Sequence, residues 1–194
     1  MIEGEDGIII IDTMESPEAA QEVLVDFRKI TKKPIRGIIL THFHADHVNG
    51  IGVFIDDVED KDNLEIVSHD SLPHYLGQVF NVRSSITYKR AVSQFGTEIP
   101  PDVLKNAGIG LNLKYKFVQK YDIKQFSFRL DKAQGFANVE PTKMFNKRLS
   151  LTLAGVSLEL IHAPGETDDQ IIVWYPEQKT LFPADNIYKA FPNL

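Results

Sequence analysis

Apolar residues follow two patterns along this chain, one unbroken and one periodic, and together they predict a fold of mixed strands and helices. Residues 8–11 are four consecutive isoleucines, followed by Asp12 and Thr13. A β-branched run without polar alternation reads as a strand buried on both faces. Ser16 is placed to cap a helix with Pro17 at its first position, where a missing N–H costs nothing. Ala20, Val23, Leu24, Phe27 and Ile30 then recur at helical spacing, and Lys32-Lys33-Pro34 stops the helix. A second strand is expected at residues 37–41. Strand, helix and strand at this spacing predict a parallel crossover, whose ligands lie beyond the carboxyl ends of the strands.

Further along, residues 64–69 read as another strand, and Asp70 as the cap of a helical stretch running towards Phe95 and Gly96. Residues 97–146 carry no clear period and are read as a lid or insertion. Leu149, Leu151 and Leu153 alternate with polar residues, and Val156, Leu158 and Leu160 do so again after Ala154-Gly155. That is a hairpin with one buried face. Residues 170–175 and 179–183 make a second strand pair around Pro176-Glu177. With no repeat, low-complexity segment or linker, the 194 residues are expected to form a single domain.

The strand at 37–41 runs into Thr41-His42-Phe43-His44-Ala45-Asp46-His47, which holds three of the chain's six histidines. Imidazole nitrogen and carboxylate oxygen are the donors that Zn²⁺ and similar metals take. In extended backbone His42 and His44 project to the same side and can converge on one metal. Asp46 and His47 follow where the chain turns and can face a second metal. Two metals roughly 3.5–4 Å apart form a clamp suited to hydrolysis. A merely histidine-rich surface loop is the plainer alternative, and the spacing argues against it.

Composition narrows the remaining choices. Apolar content of 43% and charged content of 25% are those of an ordinary globular protein. No apolar run is long enough for a membrane span, and residues 1–7 lack the basic and apolar regions of a secretory signal, which leaves the cytoplasm as the default compartment. There are no cysteines, so disulfides and thiolate ligands are excluded. Residues 1–70 hold 16 acidic and 6 basic side chains, whereas residues 103–148 hold 10 basic and 3 acidic, within a net charge of −6. An acidic chain is a poor partner for nucleic acid. The basic middle segment is most simply a solvated face, and it can also steer a small anion.

Two later strand ends carry further acidic groups: His162-Ala163-Pro164-Gly165-Glu166-Thr167-Asp168-Asp169 and Ala184-Asp185-Asn186. Taken alone, Glu166 is an ordinary turn residue and Asp185 a helix cap before Ile187. His162 reads as a packed histidine supporting the site, and His69 and His74 as strand-end or surface histidines.

The Thr-His-x-His-x-Asp-His run at 41–47 resembles the signature of the metallo-β-lactamase superfamily, which implies an α/β fold of the four-layer αββα sandwich type. In that superfamily the Pro-Gly-His-Thr segment supplies a third histidine; at 164–167 this chain reads Pro-Gly-Glu-Thr. Glutamate there resembles the alkylsulfatase branch, whose Ala-Glu-Asn corresponds to Ala184-Asp185-Asn186. The resemblance implies one Zn²⁺ on His42, His44 and Glu166, and a second on Asp46, His47 and a bridging Asp185. It implies hydrolysis of primary alkyl sulfate esters to alcohol and sulfate, with Asp46 orienting the attacking water and accepting its proton. The implied partner is a small anionic amphiphile; a homodimer is left open.

The rival readings are another hydrolase of the superfamily, acting on a thioester, lactone, β-lactam or phosphodiester, and a non-catalytic metal-binding fragment. The superfamily's final histidine has no counterpart after His162, and strands usually precede the one at 8–12. The chain therefore reads as an incomplete domain, shortened at both ends.

Overall fold

The computed structural model describes residues 1–79 and 140–188, with residues 85, 86, 89, 90 and 93 between them. The chain divides into two compact units, residues 1–75 with 135–187 and residues 76–134 with 188–194. Every element that frames the candidate site lies in the first. That unit holds two sheets. The first runs in the order β1 (Ile2–Glu3), β2 (Ile8–Ile11), β3 (Ile35–Ile39), β4 (Glu65–His69) and β5 (Lys143–Phe145). The second is β6 (Arg148–Leu153), β7 (Val156–His162), β8 (Ile171–Tyr175) and β9 (Thr180–Phe182).

The isoleucine run forms β2, parallel to β3 with Ile10 against Ile38 and Ile11 against Ile39. Between them α1 (Pro17–Ile30) begins as its sequence predicts: the Ser16 hydroxyl accepts the Ala19 N–H at 3.2 Å. β3, β4 and β5 continue the parallel array. The lid or insertion expected at 97–146 lies mostly outside the described residues, and its described end is β5, a strand of the first sheet. Likewise, of the helical stretch expected after Asp70, the described part is α4 (Leu72–Gly77); most of the rest lies outside the described residues.

Alternation sorts the first sheet's side chains. Ile9, Ile39 and Val67 point inwards and share one apolar core with Leu151, Leu153, Val156, Leu158, Leu160, Ile171 and Val173 of the second sheet. Gly37 sits where this interface is tightest, since a Cβ there would come within 2.5 Å of the Leu153 side chain. Ile10, Ile38 and Ile66 point the other way and are equally buried. Ala20 and Leu24 of α1 and Ile51 and Phe54 of α3 (Ile51–Asp56) are the buried apolar side chains that close this outer layer. The β6–β7 hairpin turns at Ala154-Gly155, both with positive φ, in the tight two-residue loop that suits a twisted hairpin. Among the described residues no helix is long and apolar enough to cross a membrane.

Two sets of hydrogen bonds bring the motif into register with its surroundings. The Ile171 N–H donates to the Thr41 carbonyl at 2.9 Å, which ties β8 to the end of β3. On the other side, the Thr13 N–H and hydroxyl both donate to the His47 carbonyl, at 2.7 and 2.9 Å, and the Gly50 N–H donates to the Met14 carbonyl at 3.1 Å. Gly50 is forced by this contact, because a Cβ would lie 2.0 Å from the Thr13 carbonyl oxygen and 2.5 Å from Ala20 Cβ. Overpacking at such a contact costs about 1–3 kcal/mol. Gly50→Ala is therefore expected to lower the unfolding free energy by about that amount in urea titration, with Gly52→Ala, whose Cβ meets nothing within 4 Å, changing it little.

Candidate metal centre

Thr41 lies just beyond β3, and the chain bends at Phe43 before α2 (Ala45–Val48) begins. His42 and His44 still converge, as their spacing predicts, since each places a ring nitrogen against Glu166 Oε2. Asp46 and His47 fall within the first turn of α2 rather than in a loose turn. Glu166 arrives from the loop after β7, and Asp185 from the 3-10 turn Ala184–Asn186 that follows β9. Asp185 sits inside that turn, and a helix starting near Ile187 for it to cap would lie mostly outside the described residues.

These side chains converge in two groups. His42, His44 and Glu166 place one donor atom each within 4.8 Å of one another, and so do His42, His47 and Asp185. Glu166 Oε2 is 3.3 Å from both His42 Nε2 and His44 Nδ1, and Asp185 Oδ2 is 3.4 Å from His47 Nε2. Donors held tetrahedrally at about 2.0–2.1 Å from a zinc ion lie roughly 3.3–3.4 Å apart. Asp46 stands at the rim, with its side chain 64% exposed and Oδ2 3.6 Å from His47 Nε2. It is not in either close group, so of the six predicted ligands the structure gathers five and places the sixth beside them.

The proton positions follow from Asp12, a residue that reads in the sequence only as a strand terminus. Asp12 accepts the Thr41 N–H on Oδ1 and the Thr41 hydroxyl on Oδ2, each at 2.8 Å. With its only hydroxyl proton committed to Asp12, Thr41 Oγ1 accepts from His42 Nδ1 at 3.1 Å. That fixes the His42 tautomer and leaves a bare lone pair on Nε2. This atom is buried without a hydrogen bond and faces the Glu166 carboxylate. Burial, followed by the neighbouring His47 and His44, pushes the His42 pKa down to about 2, so protonation does not relieve the contact. A lone pair held against a carboxylate oxygen is what a cation between them would stabilise.

Asp12 also accepts from His47 Nδ1 at 2.8 Å, aiming Nε2 at Asp46 and Asp185. Burial alone would lower the His47 pKa, but the Asp12 hydrogen bond and the charges of Asp12, Asp46 and Asp185 raise it to about 9. The donor set fits divalent metal: two imidazoles whose Nδ1 atoms are held, carboxylates at ligand spacing, and a buried donor otherwise unmatched.

The remaining histidines fall outside both groups. His69 is buried at the end of β4, with its ring nitrogens on Ser71 Oγ at 2.7 Å and the Asn146 carbonyl at 2.8 Å. Its ring stacks on His162 at 3.9 Å, and His162 Nε2 donates to the Asp168 carbonyl at 2.7 Å. His162 is thus the packed histidine expected, holding the loop that carries Glu166. His74 is exposed on α4.

The profile of the metallo-β-lactamase superfamily matches residues 1–192. A linear primary-alkylsulfatase of Pseudomonas sp. (strain ATCC 19151) is 31% identical over 95% of this chain and 32% of its own length. The alkyl/aryl-sulfatase BDS1 of Saccharomyces cerevisiae is 25% identical over 100% of this chain and 28% of its own. The chain thus spans about a third or less of the curated relatives it matches. Among solved structures, the stereoselective inverting sec-alkylsulfatase Pisa1 from Pseudomonas sp. superposes with a TM-score of 0.66 at 21% identity, over 93% of this chain and 27% of that one. A metallo-β-lactamase family protein of Thermus thermophilus gives a TM-score of 0.61 at 16% identity, over 98% of this chain and 54% of that one.

Removing a partner that orients a metal-binding histidine typically lowers metal affinity 10–100-fold. Asp12→Asn keeps the size and the tolerance of positive φ but loses the charge that orients His47. Its affinity for Zn²⁺, measured by competition with a chromophoric chelator, is expected to fall within that range.

Proposed function

The chain belongs to the metallo-β-lactamase superfamily, a membership that implies divalent metal, and on that premise we propose that it serves as a zinc-dependent hydrolase of primary alkyl sulfate esters. The observation that carries the reading is Glu166, a carboxylate at 3.3 Å from both His42 Nε2 and His44 Nδ1, where the superfamily commonly has histidine. Supporting it are the curated relatives, which are alkylsulfatases along almost the whole of this chain.

In this reading His42, His44 and Glu166 would hold one zinc ion, and His47 and Asp185, with Asp46 at the rim, would hold the other. When bound, such a pair supplies a Lewis acid for the sulfate oxygens and makes water nucleophilic near neutral pH. The chain's own groups do the rest. Asp46, open to solvent at the rim, orients the attacking water and takes its proton. His42 and His47 keep their orientation because Asp12 and Thr41 hold their far nitrogens. The net reaction converts water and the ester to an alcohol, sulfate and a proton.

The organic part of the substrate has a surface to lie on. Phe43 projects from between the two histidines, with its ring 4.9 Å from His44 and stacked on Tyr75 at 5.3 Å. Both rings are half-buried. An alkyl chain crossing this pair would shed apolar surface while its sulfate reached the ligands.

His42→Ala and Asp46→Ala are each expected to abolish sulfate release from dodecyl sulfate, measured by ion chromatography. A wild-type chain that hydrolyses thioesters or lactones but not alkyl sulfates would instead place it in another branch. Phe43→Ala is expected to raise KM for dodecyl sulfate about tenfold, near the ~1.4 kcal/mol of a partial side-chain contact, with hexyl sulfate much less affected.

A further inference from the structure

Glu166 and Asp185 come from different parts of the second sheet, yet one side chain joins them. Asn186, next to Asp185, donates Nδ2–H to the Ala163 carbonyl at 2.7 Å. Its Oδ1 accepts the Glu166 N–H at 3.3 Å. Both ends of the loop that presents Glu166 are thus held by one amide. The contact is close enough to dictate Gly165: a Cβ there would lie 1.7 Å from Asn186 Oδ1 and 2.6 Å from its Cγ.

Behind Asn186 stands Gln170, fully buried just before β8. Its amide satisfies its neighbours with the oxygen turned to the 3-10 turn, accepting the Asp185 and Asn186 N–H groups at 3.0 Å each. In that orientation its NH₂ donates to Asn186 Oδ1 at 3.3 Å. A chain of amide contacts therefore runs from the core, through the Asp185 turn, to the backbone of Glu166. A glutamate has more rotatable bonds than the histidine common at this place, so its backbone needs firmer anchoring to deliver an oxygen to one point.

We infer that Asn186, seated by Gln170, is a positioning residue that joins the two carboxylate ligands, so that the two metal positions fill as a coupled pair. This rests on the two-metal reading above. Asn186 links the Asp185 turn to the Glu166 loop, so a metal held by Asp185 would restrain that loop through Asn186. The second metal then meets a loop already in place, and the conformational cost it would otherwise bear is reduced. Coupling is reciprocal, so filling the Glu166 position first has the same effect on Asp185.

The test is a titration of the chelator-stripped chain with Co²⁺, followed by its visible absorption and by competition with a chromophoric chelator. Wild type is expected to take two equivalents in one steep transition. Asn186→Ala is expected to separate it into two steps, with the weaker step shifted 10–100-fold. Gly165→Ala, which displaces Asn186 from the opposite side, is expected to reproduce the split. If Asn186→Ala takes both metals with wild-type affinity and steepness, the coupling role is wrong, even if the metal-free variant melts earlier. If wild type itself takes fewer than two equivalents, the two-metal reading fails, and the inference with it.

Discussion

The Asp12 carboxylate accepts three hydrogen bonds at the carboxyl edge of the first sheet, from the Thr41 N–H, the Thr41 hydroxyl and His47 Nδ1. Through Thr41 it sets the tautomer of His42, and directly it sets the orientation of His47, the two imidazoles with a donor in the Asp185 group. Its backbone has φ of 58°, a left-handed conformation that aspartate tolerates better than most residues. The Asp12 N–H still donates to the Ile39 carbonyl at 2.9 Å, so the parallel ladder runs on to the residue that turns away from it. The buried β2–β3 pair thus acts as a rigid mount, and the chain turns the acidic side chain that ends the isoleucine run towards the motif where the ladder ends.

The two sheets divide the ligands by chemical type. In the two close groups the first sheet supplies the imidazoles on short, tightly bonded backbone, and the second supplies Glu166 and Asp185 on segments that leave strand ends; Asp46, on α2, stands beside them. Imidazoles need their far nitrogen held if they are to bind metal as neutral donors, and Asp12 and Thr41 provide that. Carboxylates need their backbone held, because their own side chains have more freedom. Asn186, Gln170 and the His162–Asp168 hydrogen bond provide it. The Ile171–Thr41 hydrogen bond closes the arrangement by joining the sheets directly behind His42.

This division explains which features are legible in the amino-acid order alone. The strand at 8–11 is legible as an unbroken apolar run, the hairpin at 148–162 as a period of two, and the helix at 17–30 because its cap and its apolar face agree; the strands expected at 37–41 and 64–69 form at 35–39 and 65–69. His42, His44 and His47 are legible because three ligands lie within one short segment. Glu166 and Asp185 need a family resemblance, since a lone acidic residue after a strand has many uses. Asp12 is visible only as the end of an apolar run; the hint is that β2 neighbours the motif strand and ends at the same edge. Asn186 and Gln170 give no signal, because their roles depend on a contact across 20 residues and on a buried amide's orientation. Phe43 is visible as a residue of the motif, but its pairing with Tyr75 joins segments that sequence leaves unconnected.

The exchange of an imidazole for Glu166 also bears on the proposed chemistry through charge. A neutral donor replaced by an anionic one lowers the positive charge of a two-zinc centre by one unit. A sulfate ester carries one negative charge and the inorganic product carries two near neutral pH, so the product depends more steeply on that positive charge than the substrate does. Removing one unit therefore loosens the product more than the substrate. In a site where water is partly excluded, such differences are larger than in bulk solvent. In the proposed two-zinc centre a carboxylate at position 166 would thus favour turnover over product retention, which a strongly cationic centre would risk. The same exchange would weaken the hold on neutral substrates' developing oxyanions, so a donor set with Glu166 suits an ester that brings its own full charge.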